Sequence, residues 1–228
     1  MTLLSIAREV ALRVGIERPT EVVTGDGDRP WLVLHTAEAA EELARRVDWS
    51  ELRRENTFSA IGDGDTFNLG TAFSRLTAGL SVYYEAANPV RGGLSPDEWM
   101  SLGVYSDLLV DGNDFAFETE DGDTIGDNAT VVGPPRYFRV IGTQVYCYPN
   151  PPAGGRIRIQ WQSKNWCSNG SDGWLADTDT AFVPEKLIVM GAVWRWKRRI
   201  GQDYQDQLAE FEAALANYAD FDAEARLP

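Results

Sequence analysis

The last fifth of the chain constrains the fold more tightly than any other stretch. Pro184 opens an apolar-periodic segment that runs to Ile200. Gly201 follows, and Asp203 stands before a second segment with Tyr204, Leu208, Phe211, Leu215 and Tyr218 spaced by four, three, four and three. Proline fits the first position of a helix because its missing N–H has no intrahelical acceptor to lose, and glycine just past the end can take the left-handed conformation that closes one. Asp203 is placed to cap the second helix. The heptad-like spacing sets its five large residues on one face. Two helices joined so briefly fold back as an antiparallel hairpin. Leu187, Met190, Gly191 and Trp194 make the facing stripe, so the expected structural core of the hairpin is Leu187, Trp194, Leu208, Phe211 and Leu215. Arg195, Trp196, Lys197, Arg198 and Arg199 lie largely off that stripe. Positive charge near a helix C-terminus is favoured by the helix dipole, which accounts for the cluster without any partner. An intersubunit or DNA-facing patch accounts for it equally, and these five residues are the candidate subunit or portal interface.

The N-terminus repeats the helical pattern. Leu3, Ile6, Ala7, Val10, Ala11 and Val14 share a face, with Thr2 as N-cap and Gly15 as stop. After a loop rich in Pro, Gly and Asp, a second helix is expected from about Pro30 to Val47. Its in-phase residues are Leu34, Ala37, Ala40 or Glu41, Ala44 and Val47, and its other face carries Glu38, Glu42, Arg45 and Arg46.

From residue 51 the period changes. Leu52–Phe58 reads as a strand, and loops dense in Asp and Gly follow at 62–65, 111–114 and 121–123. Ser95-Pro96-Asp97-Glu98 carries the residues of a capping box. Tyr137–Ile141 and Gln144–Tyr148 flank Gly142-Thr143, a two-residue hairpin turn with Gly first. Arg156–Gln162 alternates polar with apolar, and the three strands are expected to form one antiparallel meander with a buried face. The predicted class is therefore α+β: a helical core of residues 1–50 and 180–222, a β-rich antiparallel insertion of residues 51–179, and a tail of residues 223–228.

Several function classes lose their chemistry at this level. A formal net charge of −14 repels phosphate and argues against a protein that reads DNA sequence, though not against one that DNA passes through. The single histidine, His35, lies inside the second helix with no nucleophile or further ligand near it in sequence. Asp121-Gly122-Asp123-Thr124-Ile125-Gly126 begins like a calcium loop, but Ile125 takes a ligand position and Val132 stands where a bidentate Glu is needed. Paired carboxylates, as glycosidases use, are unavoidable by chance among 35 acidic residues. No cofactor or metal is expected. Two cysteines, Cys147 and Cys167, are too few for a disulfide framework and are expected as free thiols. Asn128-Ala129-Thr130 and Asn169-Gly170-Ser171 match the glycosylation pattern without a secretory signal to give it meaning. The first residues lack a signal peptide's basic and apolar regions, and no run is long enough to cross a membrane.

Four stretches in order carry a family resemblance: Ala176-Asp177-Thr178-Asp179-Thr180, then Pro184-Glu185-Lys186-Leu187-Ile188, then Gly191-Ala192-Val193-Trp194-Arg195-Trp196-Lys197, then Gly201-Gln202-Asp203-Tyr204. Upstream, Glu41 to Trp49, Leu69, Phe73, Arg75 and Leu76, the Leu94–Trp99 run, Tyr148-Pro149-Asn150-Pro151 and Ser163-Lys164-Asn165-Trp166 continue it, with Gly70 where the family usually has proline. Together these resemble the head–tail adaptor (connector) proteins of tailed bacteriophages, of podovirus and gene-transfer-agent type.

The resemblance implies a structural virion protein, made in the host cytoplasm and located at the head–tail interface. It implies a ring, typically twelvefold, that binds the portal protein and tail or tail-tube proteins and lines part of the DNA exit channel without sequence-specific binding or contact with a membrane. It implies no catalysis. Two other expectations stand beside it. One is a different virion part, a stopper or tail-completion protein. The other is a carbohydrate-binding or carbohydrate-cleaving module built on Trp161, Trp166 and Trp174 near the Asp-rich loops.

Overall fold

A computed structural model describes residues 1–62, 66–85, 88–92, 94–99, 101–102 and 132–224. The chain forms two compact units, one of Met1–Arg54, Ala72–Arg75 and Trp161–Pro228, the other of Glu55–Thr71 and Leu76–Gln160. Helices and antiparallel sheets make the class α+β.

The first unit is helical. Helix α1 (Leu3–Val14) buries Leu3, Ile6, Ala7, Val10 and Ala11, capped by the Thr2 hydroxyl and closed by left-handed Gly15 at φ 77. Helix α2 (Arg29–Arg46) buries Leu32, His35, Thr36, Ala39, Ala40, Leu43 and Ala44. This face differs from the one the apolar letters suggest, and Leu34 is 43% exposed. The buried stripe passes through two polar residues that an apolar count skips. Thr36 enters the core because its hydroxyl donates to the Leu32 carbonyl at 2.7 Å, so no polar group is left unpaired.

Helix α3 (Glu185–Arg199) and helix α4 (Gln205–Glu224) form the expected hairpin. At the joint the Gln202 amide donates to the Lys197 carbonyl and the Gly201 amide to the Arg198 carbonyl, the paired bonds of a Schellman closure, with Gly201 at φ 72. Asp203 accepts from the Gln205 amide at 3.1 Å. Phe211 and Leu215 are buried, and Leu208 and Tyr218 are partly so.

Helices α1, α2 and α4 all pack on α3. It therefore buries Leu187, Ile188, Val189, Gly191, Ala192, Val193 and Trp196, apolar on nearly every side. This reverses the expected division of the two tryptophans. Trp196 is 2% exposed and belongs to the core, while Trp194 is only partly buried at its margin. A stripe drawn for one partner helix cannot place residues on a helix enclosed by three. Gly191 marks a close crossing of α2 and α3, where a Cβ would come within 2.8 Å of Ala39.

Residues 161–179, read from sequence as part of the insertion, lie in this unit. Trp166 and Trp174 meet edge to face at 4.7 Å and join the helical core with Cys167. Cys147 and Cys167 are both buried thiols.

In the second unit, β6 (Tyr137–Ile141) and β7 (Gln144–Tyr148) form the expected hairpin, with Gly142 at φ 61. The three-strand meander is corrected. The other edge of β7 is taken by β2 (Thr66–Asn68), Phe67 opposite Val145. Strand β8 (Arg156–Ser163) joins a different sheet, where it lies between β1 (Arg53–Ser59) and β4 (Val82–Tyr84) and also pairs with β3 (Phe73–Leu76). Val82 faces Ile159, and β5 (Asn88–Pro89) extends that sheet beyond β4. The capping box forms as read: the Ser95 amide donates to Glu98 Oε2 at 2.7 Å and the Glu98 amide to Ser95 Oγ at 3.2 Å. The bond from the Ser95 amide, followed by the Ser95 hydroxyl, holds the Glu98 carboxyl below the usual range. The Asp/Gly loops at 63–65, 111–114 and 121–126 and the Asn128 motif lie outside the described residues.

Candidate functional site

The basic cluster divides into a structural and a free half. Arg195 is anchored. Its guanidinium donates to the Gly191 carbonyl at 2.9 Å, pairs with Glu42, lies 3.6 Å from Glu38 and stacks 4.3 Å over the Trp194 ring. Only 11% of the side chain is exposed. Glu42 also accepts from Arg46, which forms a two-pronged bond to Glu212 of α4 at 2.7 and 2.6 Å. Arg46 thus holds the Glu212 carboxyl below the usual range, and Glu212 is the main cause raising the Arg46 pKa. The pairs are partly exposed, so each is weak alone. As a network they fix how α2, α3 and α4 meet.

Lys197, Arg198 and Arg199 make no ion pair among the described residues. Lys197 is half-buried beside Met190 and Val193, while Arg198 and Arg199 are exposed. Arg199 stacks 3.8 Å over the Trp31 ring and 5.3 Å from that of Trp196. His35 is 8% exposed, its Nδ1 lies 3.2 Å from Glu38 Oε2, and its Nε2 has no partner among the described residues. His35, Glu38, Trp194, Arg195, Arg198 and Arg199 line a cavity of about 310 Å³. Sequence reasoning found the arginines but missed the α2 half of this recess, because His35 and Glu38 are more than 150 residues away along the chain.

The acidic–threonine loop does structural work that its letters do not reveal. Asp177 accepts from the Val22 and Val23 amides at 3.0 and 2.9 Å. Asp179 accepts from the Leu175 and Ala176 amides at 2.7 and 2.9 Å and from Asn169 Nδ2 at 2.7 Å, with the Leu175 bond the chief cause lowering its pKa. The loop's carbonyls receive the Leu3 and Leu4 amides, which supplies acceptors to the unpaired first turn of α1. Arg75 serves the C-terminal end of α2, donating to the Ala44 and Val47 carbonyls at 2.9 and 2.8 Å while paired with Asp48.

Trp161, Trp166 and Trp174 are 5%, 0% and 8% exposed. They offer no open ring face, and the carbohydrate-platform expectation loses its basis.

A family model described as SU10 adaptor protein matches residues 1–227, nearly the full length. No curated protein matches the sequence.

Proposed function

The chain belongs to the SU10 adaptor protein family of phage head–tail adaptors, and from that premise we propose that it closes into a ring, a dodecamer, between portal and tail and lines part of the DNA exit channel. It is a structural virion protein by family, and we infer that it acts by assembly alone, without catalysis. The observation that carries the reading is the match over residues 1–227. Two physical features support it. Arg198 and Arg199 stand exposed without a carboxylate partner among the described residues, which leaves both guanidinium groups available to a neighbouring molecule. The net charge of −14 gives channel walls that DNA slides past rather than adheres to.

The purified protein, mixed with its portal protein, is expected to give a closed ring in native mass spectrometry and electron microscopy. A species that stays monomeric with portal present and binds neither portal nor capsid would overturn the reading. A monomer in isolation is compatible with it.

A further inference from the structure

The recess between α2 and α3 is built like one half of an interface. Of its three guanidinium groups, Arg195 is consumed by Glu42, Glu38 and the Gly191 carbonyl. Arg198 and Arg199 carry their charge at the rim with no counter-charge among the described residues. Among its lining residues, the His35 Nε2 and the Trp194 Nε1–H are buried with no hydrogen-bond partner among the described residues. Buried polar atoms in folded proteins are normally satisfied, so two in one recess are unusual. Arg199 is held against Trp31 and Trp196 before anything binds, which lowers the entropy lost on engagement. Trp31, 38% exposed, extends the surface. Arg and Trp are the residues that dominate binding energy at protein interfaces.

A complementary face exists on the same chain. Opposite its buried Phe211 and Leu215, α4 shows an exposed stripe of Asp206, Glu210, Ala213, Asn217 and Asp220. Its acids form no ion pair among the described residues, and its small side chains permit close approach. In a cyclic ring, each subunit must present two different faces to its neighbours. Resting on the ring reading above, we propose that the α2–α3 recess of one copy receives the acidic outer face of α4 from the next, with carboxylates on Arg198 and Arg199. DNA phosphate offers the same charge, but Glu38 in the recess and a net charge of −14 oppose it.

Ring yield with portal protein, read by native mass spectrometry, tests this with Arg198→Glu, with the pair Asp206→Arg and Glu210→Arg, and with all three changes together. Circular dichroism checks that each variant is folded. Each reversal is expected to lower ring yield at least tenfold, and the combination to restore most of it. Wild-type yield from Arg198→Glu would overturn the proposal, as would a combined variant no better than the single reversals, which would point to a portal contact. So would loss of duplex-DNA binding in Arg198→Glu with ring yield intact. If the unaltered protein forms no ring with portal, the adaptor-ring reading itself falls and takes this one with it.

Discussion

Truncating Trp196 to alanine removes a side chain that is 2% exposed and packed in the helical core. Such a change costs about 3–5 kcal/mol. Trp194→Ala removes a ring only partly buried, and about 1–2 kcal/mol is expected from the smaller area lost. Urea unfolding of the two variants measures the difference, and equal losses would show that the two rings are held alike. Asp179 makes a second residue-scale case. Its folded pKa lies below the unfolded value, so its stabilisation is complete above about pH 4 and is lost as pH falls through the folded value. Asp179→Asn should therefore be less stable than the unaltered protein at pH 6, with the gap narrowing as pH falls below about 4. A melting-temperature gap that stays constant over that range would rule out the carboxylate as its source. The aspartates were visible in the sequence, but their role was not. Asp177 finds its amides 155 and 154 residues away, and nothing local records that.

Helices α1, α3 and α4 and the β6–β7 hairpin were legible because their signals are local: caps, stops, a period and a turn. The face of α2 and the partner of β8 were not. A strand's alternation says which residues are buried but not which edge it joins, and β2 lies far from β7 in sequence. Two glycines separate the local from the non-local at this scale. Gly201 sits at φ 72 with nothing within 4 Å of a Cβ position, so Gly201→Ala meets only the left-handed backbone penalty, about 1–2 kcal/mol. Gly191 has no unusual φ, but a Cβ there would meet Ala39 at 2.8 Å and Phe211 at 3.3 Å. Gly191→Val should cost about 1–3 kcal/mol through overpacking where α2, α3 and α4 converge. Denaturant midpoints test both. Asn at 201 should recover part of the loss, because Asn tolerates that conformation, while at 191 Asn should recover none of it.

At the scale of the whole molecule, two electrostatic effects of opposite sign act on assembly. Copies that each carry −14 repel one another over long distances. The screening length falls from about 30 Å at 0.01 M salt to about 8 Å at 0.15 M, so added salt removes most of that repulsion. A guanidinium–carboxylate contact acts over about 4 Å and survives this change, but the screening length shortens to about 3 Å near 1 M and the contact weakens. If Arg198 and Arg199 engage the acidic stripe of the next copy, ring yield should rise from low to physiological salt and then fall toward 1 M. Arg198→Glu adds repulsion and removes an attraction, so its yield should start lower and keep rising as salt increases. Sedimentation velocity across a salt series distinguishes the two curves. A falling limb of equal depth in both proteins would place the salt-sensitive contact elsewhere on the molecule.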